Sequence, residues 1–500
     1  MRSSLVLTSL VLLTACAKSV DPGQDISGPT TSQEVVSGAV MGAAVNGASV
    51  MPNVLFILVD DMGFGDAGYN GSEIATPTLD QLAETGVRLD RNYAYPVCSA
   101  TRAALLTGHS PLDYGIDGPL GDHTSLPLDL KIMPEYFKDM GYQTYMIGKW
   151  HLGIGNTDYW PISRGFDYHY GFLGGWIDFY THVYSGGLDW QREGQSVREQ
   201  GHATDLMTDD AVRLISERDV DSPFFMYLSY NAPHSPLQHA PVNSGLNSNI
   251  EFGDRSVYAE MVTQVDTGIG KILDTLKSEN LLENTIVVFS SDNGGALTTG
   301  ASNGALAGGK GQAYEGGMRV PGLVWWAGHV EGGRVLEQPV VMHDWLPTLL
   351  EAVGGDAAEA FDPYGQSMWG AIARNEQIDR AEFTIGVGAS KAAFDWPWKL
   401  VRHGHGDSPD LGLFNIVEDP NEANNLADQH PEKVVQLAAL LDAIPAVESR
   451  EPFPGLPKPD SWFNKADGSG KDFELRLAET IEPWAEAAER GELNRGQSDD

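Results

Sequence analysis

Asn53-Val54-Leu55-Phe56-Ile57-Leu58-Val59-Asp60-Asp61 decides the fold. Its apolar residues run on without alternation, the pattern of a strand buried on both faces of a parallel sheet. Asp60-Asp61 then stand at the carboxyl end, where open α/β sheets place their ligands. A helix follows: Thr76 caps it, Pro77 takes the first position, Leu79 and Leu82 share a face, and Gly86 stops it. The unit recurs downstream. Tyr145-Met146-Ile147 delivers Gly148-Lys149-Trp150-His151, and Phe224-Phe225-Met226-Tyr227-Leu228 delivers Asn231-Ala232-Pro233-His234. A long helix carries Tyr258, Met261, Val262, Val265, Ile269, Ile272 and Leu276 on one side. Ile286-Val287-Val288-Phe289 then delivers Ser291-Asp292-Asn293-Gly294. The order predicts an α/β sandwich around a mostly parallel sheet, with every polar cluster at a strand's carboxyl end.

Outward from this region the texture changes. His343 to Leu350 reads as a further helix, and after residue 375 the pattern turns to short hairpin strands, Trp398-Lys399-Leu400-Val401 and Leu413-Phe414-Asn415-Ile416, then a helix from Pro431 to Leu441. The expected organisation is a catalytic domain over 51–375, a small α+β C-terminal subdomain with a short antiparallel sheet over 376–450, and a polar extension over 451–500. Upstream, a basic start and a short apolar run end in Leu13-Thr14-Ala15-Cys16. The run is too short to span a bilayer, and it fits an export signal over 1–15 whose Cys16 resembles the lipidation site of bacterial lipoproteins. Residues 16–50 then form a tether of small residues. The expected location is the bacterial cell envelope, periplasm or outer membrane, with a lipid anchor at Cys16.

The formal net charge of −37 excludes nucleic acid and an anionic membrane surface as partners. Any pocket for an anionic substrate must therefore be a local concentration of bases. Cys98 is the only cysteine besides Cys16, so no disulfide is expected. Asp60, Asp61, Asp292 and Asn293 offer oxygen donors alone, and carboxylates brought together stay ionised only beside a cation. Hard oxygen donors favour Ca²⁺ or Mg²⁺ over zinc. Cys98 opens a helix, where backbone N–H groups favour an anion, and Arg102 lies one turn on. Lys149, His151, His234 and Lys310 add cationic and proton-transfer groups. Such a set suits the ester of a tetrahedral oxyanion.

These motifs resemble the formylglycine-dependent sulfatases, in their arylsulfatase B-like (N-acetylgalactosamine-4-sulfatase) branch. The resemblance runs from Pro52 to Ile372 and weakens towards residue 430. It rests on Asp60-Asp61-Met62-Gly63, Cys98-Ser99-Ala100-Thr101-Arg102, Gly148-Lys149-Trp150-His151-Leu152-Gly153, Ser290 to Gly295, and Gly309-Lys310 with Glu315-Gly316-Gly317. It implies an alkaline-phosphatase-like fold and oxidation of Cys98 by a maturation enzyme to formylglycine, 3-oxoalanine. The hydrate of that aldehyde attacks sulfur with one hydroxyl and expels sulfate through the other, whereas an ordinary alcohol would stall as a stable sulfate ester. The resemblance also implies Ca²⁺ held by Asp60, Asp61, Asp292, Asn293 and modified Cys98. Arg102 and Lys149 would steady the hydrate, His151 would take its second proton, and His234 and Lys310 would hold sulfate and the leaving oxygen. The family's maturation signature carries Pro where this chain has Ala100; alanine variants resemble substrates that some maturation systems accept.

The branch further implies a sulfated sugar as substrate. Trp176, Asp178, Tyr180 and His182 match its substrate-facing stretch, and His403 and His405 are candidates to reach in from the C-terminal subdomain. The expected substrate is a galactose-4-sulfate of an algal galactan such as carrageenan, with a glycosaminoglycan N-acetylgalactosamine-4-sulfate as the alternative. A phosphatase of the related fold would need histidine-rich zinc sites, which the oxygen-donor set argues against. A sulfated-glycan-binding lipoprotein is what remains if Cys98 stays a thiol.

Overall fold

The computed structural model describes residues 51–121, 124–184, 187–242, 244–355, 365–404 and 409–446. Cys16, His405, the export signal, the tether and the extension over 451–500 lie outside the described residues.

Asn53–Val59 is a strand, buried throughout. Alternate residues face opposite layers: Val54, Phe56 and Leu58 join one core, and Leu55, Ile57 and Val59 the other. Each such side chain contributes about 1.5–3 kcal/mol on burial, so a polar substitution anywhere in the run would open one of the two layers. The strand sits between Phe224–Ser229 and Thr285–Ser291, parallel to both. Gln143–Lys149 and Tyr168–Phe172 extend the parallel set beyond Phe224–Ser229. Gly322–Trp325 pairs antiparallel to Thr285–Ser291 on the other flank. With Val87–Leu89 and Arg334–Leu336 at one edge and Gln191–Arg192 and Gln195–Ser196 at the other, the sheet has ten strands.

Helices cover both faces. Cys98–Thr107 and Trp345–Ala352 lie in the first core, and Pro77–Thr85, Ala203–Glu217 and Asp254–Ser278 in the second. This is the alkaline-phosphatase-like α/β sandwich expected from the sequence. The Ala203–Glu217 helix is not evident in the sequence pattern, because Thr204, Asp205, Thr208, Asp209 and Asp210 interleave with its buried Met207, Ala211, Leu214 and Ile215.

The C-terminal sheet is antiparallel, with Phe383–Val387, Ser390–Asp395, Trp398–His403 and Asp410–Asn415 in sequence order. Its first two strands carry Gly386, Ala392 and Ala393, too small to signal a strand. Pro431–Asp442 packs Leu437 and Leu441 against it. The first core continues into this sheet through Phe383, Ile385, Phe394 and Val401.

Candidate active site

The five parallel strands end together, and the side chains just beyond them converge. Cys98 opens its helix with the thiol buried, 4 % exposed. Its Sγ lies 3.2 Å from Nδ1 of His151. The other ring nitrogen of His151, Nε2, is 3.1 Å from the carbonyl oxygen of Leu120. A carbonyl only accepts, so Nε2 carries the proton and Nδ1 presents a lone pair to position 98. Burial, then Lys149 and Arg102, hold the His151 pKa well below the ordinary value, which keeps the ring neutral and basic at Nδ1. Ser99 locks the pair: its hydroxyl donates to the His151 carbonyl at 3.2 Å and accepts from the Leu120 amide at 2.9 Å. Gly175 seals the far side, because a Cβ there would lie 2.8 Å from the His151 ring. Ala100 is the third residue of the helix, where the amide has no acceptor within the helix, so alanine and proline fit the position equally.

Asp60, Asp61, Asp292 and Asn293 meet beside this pair. One Arg102 nitrogen lies 2.8 Å from Asp292 and 3.7 Å from Asp60. The Asn293 amide donates to Asp61 at 2.7 Å, and the Asp61 backbone amide donates to Asp292 at 3.2 Å. Burial and the neighbouring Asp60 push the Asp292 carboxyl up to about 6. Burial likewise raises Asp60, against the pull of Lys149 at 2.5 Å. Asp61 goes the other way: Lys310 and His234 outweigh its burial and hold it low. Two buried oxygens here, Asp60 Oδ1 and Asn293 Oδ1, have no hydrogen-bond partner. An orphaned acceptor of this kind costs about 1–3 kcal/mol. A divalent cation would relieve both and suits their hard-donor chemistry, so the residues fit the ion that the family uses. Asp61 and His151 also hold left-handed backbone, φ 67° and 55°, a strain that is stored where geometry matters to function.

His234 and Lys310 form the open side. The Lys310 ammonium is 2.8 Å from Asp61 and a quarter exposed. His234 Nδ1 points at the Ser235 carbonyl at 2.6 Å, so its Nε2 is the bare nitrogen, 3.7 Å from Asp61. Burial and Lys310 depress its pKa to about 3. Asp60, Asp61 and His234 can each offer one ligand atom within 4.8 Å of the others. His234 is thus set to accept or to ligate, and Lys310 is the hydrogen-bond donor at the mouth. Three bases (Arg102, Lys149, Lys310) balance three acids (Asp60, Asp61, Asp292). A bound divalent ion leaves the pocket positive inside a chain of net charge −37.

The Trp176–His182 stretch behaves differently. Trp176 is half-buried, next to Gly175 and edge-on to Tyr184 at 5.5 Å. Asp178 is spent on its own turn, accepting from the Tyr180 and Thr181 amides at 3.0 and 2.8 Å, and from Gln238 at 2.8 Å. Tyr180 donates to the His239 carbonyl at 2.6 Å. His182 is 1 % exposed, stacked on Trp190 at 4.5 Å and bonded to the Gly201 carbonyl at 3.2 Å. The structure engages the side chains of Asp178, Tyr180 and His182 within the hairpin, and places Trp176 next to Gly175, which lies against the His151 ring. His403 ends its strand exposed, opposite Ser390.

Several residues of the site carry no sequence signal strong enough to single them out. Tyr227 and Ser229 bind the Arg102 guanidinium, and the Ser229 hydroxyl also donates to the Lys149 carbonyl at 2.9 Å. A serine closing an apolar strand was the available hint. Tyr258 donates to Asp66 at 2.6 Å and to the Asp61 carbonyl at 3.2 Å, bracing Asp61 from behind. Beyond Leu120 a cleft of about 690 Å³ opens, walled by Asp117 to Leu120 and by Gly388, Lys391 and Arg402 of the C-terminal sheet. Lys391 and Arg402 sit directly opposite in register, with Asp117 4.0 Å from Lys391 and Asp442 2.5 Å from Arg402.

The sulfatase family profile matches residues 52–355. Arylsulfatase J of Mus musculus is 37 % identical over 451 residues, covering 77 % of this chain and 74 % of its own. The N-acetylgalactosamine-6-sulfatase of Homo sapiens is 33 % identical over 395 residues, covering 71 % and 74 %. Among solved structures, Ps i-CgsB in complex with k-i-k-neocarrahexaose superposes with a TM-score of 0.73 at 30 % identity, covering 88 % of this chain and 99 % of that one. With the converged cysteine, histidine and acid cluster, these likenesses place the chain in the formylglycine-dependent sulfatase family, the hydrolases of sulfuric esters.

Proposed function

We propose that this enzyme removes sulfate from a sulfated polysaccharide or its oligosaccharides, with a galactose-4-sulfate of a carrageenan-type galactan as the substrate. The observation that carries the chemistry is the neutral His151, its bare Nδ1 aimed at position 98 beside the acid cluster. Position 98, as hydrated formylglycine, supplies the attacking hydroxyl and the second hydroxyl whose deprotonation frees sulfate. Asp60, Asp61, Asp292 and Asn293 would hold calcium, which when bound would supply positive charge for the ester oxygens. Arg102 and Lys149 fix the acids and the base of the pocket. His151 takes the proton at Nδ1, and Lys310 donates to the sulfate or to the departing sugar oxygen.

The likeness to a carrahexaose-bound structure supports the galactan reading. So does the cleft beyond Leu120, where Lys391 and Arg402 line the wall and can meet the sulfated units that flank the reacting one. The relatives named for N-acetylgalactosamine-6-sulfate favour a second reading, a sulfated glycosaminoglycan. We further propose export, a lipid anchor at Cys16, and conversion of Cys98 by a maturation enzyme that accepts Ala100. The test has two parts. Mass spectrometry of the peptide spanning Cys98, from a host able to mature it, should show the aldehyde; a thiol in the native organism would leave only glycan binding. Sulfate release from defined galactan and glycosaminoglycan oligosaccharides should then favour galactose-4-sulfate, and a preference for N-acetylgalactosamine sulfates would replace that substrate.

A further inference from the structure

Lys310 reaches the acid cluster from the turn between Ala307 and Gly317. The inner side of that turn is tied to the site itself. The Gly311 amide donates to the carbonyl of Pro96, two residues before Cys98, at 2.7 Å, and the Lys310 amide to Gly295 at 3.3 Å. Its outer side is tied to the C-terminal sheet. The Ala313 amide donates to Ser390 Oγ at 2.8 Å, and the Glu315 amide to Glu422 Oε2 at 2.6 Å. Lys399, on the neighbouring strand, donates to Glu315 Oε1 at 2.9 Å and lies 2.7 Å from Glu422 Oε1. Tyr93 completes the Glu315 carboxylate from the main domain at 2.9 Å.

The side chains of Lys399, Glu315 and Glu422 are fully buried, with no solvent exposure for any of the three. An apolar trio of similar volume would commonly be as stable, and a buried ionic set fixes geometry more than it adds stability. The geometry fixed here is the distance between the C-terminal sheet and the turn that presents Lys310.

We propose that Ser390, Lys399 and Glu422 are positioning residues for Lys310, so that the C-terminal sheet sets how far the ammonium extends over the sulfate. The inference rests on the reading of Lys310 as a sulfate contact. It separates the function of that sheet from sugar binding alone, since these three side chains lie behind the turn.

The test is a set of double-mutant cycles on the full, matured chain with Ca²⁺. Ser390→Ala, Glu422→Gln and Lys399→Met are each made in the unsubstituted enzyme and in Lys310→Ala. Turnover is read on an activated aryl sulfate, and inorganic sulfate affinity by calorimetry. Displacing a reacting group by about 1 Å costs up to about 10²-fold in rate. Ser390→Ala, which removes one tether, and Glu422→Gln, which keeps an acceptor for the Glu315 amide but removes the charge facing Lys399, should lower turnover by about 5- to 50-fold on that scale. In the Lys310→Ala background the same changes should cost less than about 2-fold, because residues acting through one group are not additive. Equal losses in both backgrounds, or no loss from any of the three, would overturn the proposal. Should Lys399→Met fail to fold, the other two variants carry the test. An unsubstituted enzyme that is converted at Cys98 yet releases no sulfate would defeat the sulfatase reading instead, and the cycles would then be read in sulfate affinity.

Discussion

Two regions of this molecule hold similar side chains beyond strand ends. Asp60, Asp61, His151, His234 and Asn293, from four strand ends, meet in one, and Trp176, Asp178, Tyr180 and His182 share the other. In the second, each of Asp178, Tyr180 and His182 meets a partner inside the fold: a turn amide, a backbone carbonyl, an aromatic face. In the first, like charges crowd together and two carboxylate or amide oxygens have no partner; left-handed backbone does not separate the two, since Asp61, His151 and His182 all hold it. The histidines show it most clearly. Both His151 and His182 donate Nε2–H to a carbonyl, and both are kept neutral by burial. His151 then turns its remaining nitrogen to Cys98, while His182 lies flat against Trp190. Residue type alone does not distinguish a site from a well-packed hairpin; unfinished valence does.

The comparison breaks most readily at position 98. Cys98→Ser should abolish turnover, by at least ~10³-fold, as loss of a nucleophile does elsewhere. Binding of a sulfated oligosaccharide, measured by calorimetry, should persist, because the bases around the position are untouched. Normal turnover in that variant would defeat the aldehyde mechanism outright.

The acid cluster gives the next largest effect. Removing divalent ions with a chelator should lower activity by at least ~10²-fold and lower the melting temperature, since an ion held by the folded chain and not by the unfolded one stabilises the fold. Calcium should restore both, and zinc should not. Stoichiometric zinc with phosphatase activity in the purified protein would contradict the oxygen-donor reading. Asp292→Asn should lose calcium affinity, whereas Asp178→Asn, in the satisfied stretch, should keep it. Trp176→Ala tests the member of that stretch next to Gly175, and should raise KM for an oligosaccharide more than for an aryl sulfate.

The sequence was most legible where local physics acts alone. The uninterrupted run Val54–Val59 marks a doubly buried strand with no ambiguity of face, and the polar residues that close such strands mark the ligand end of the sheet. Helices bounded by Thr76 and Gly86, or ended by Gly108, appear where their caps stand. What could not be read is set by tertiary closure. No residue type distinguishes His182 from His151; the difference lies in Leu120 and Ser99, remote in sequence, on one side, and in the fold of the hairpin that brings Trp190 onto the ring on the other. The same holds for Lys399, a lysine in a short strand whose buried acid partners, Glu315 and Glu422, come from two other segments. Ser390–Asp395 escaped because alanines and a lysine carry little strand signal.

The smallest expected effect sharpens the comparison by titration. Burial holds His182 at about 4, against an ordinary value of 6.5. Between these values the unfolded chain binds the proton and the folded chain does not, so stability is complete above about 6.5 and falls as the pH drops towards 4. His182→Phe keeps the stack on Trp190 but gives up the bond to Gly201. At pH 7.5 the variant should be less stable by about 1 kcal/mol, the worth of one such bond. On the acid side the variant has no proton to take up, and its stability should fall less steeply, by up to about 1.4 kcal/mol per pH unit. The deficit should therefore reverse by pH 5 in urea unfolding, with turnover at neutral pH within about 3-fold of the parent, as for a residue outside the chemistry. A parallel pair of stability curves would mean that His182 is reached by solvent and is open to a sugar.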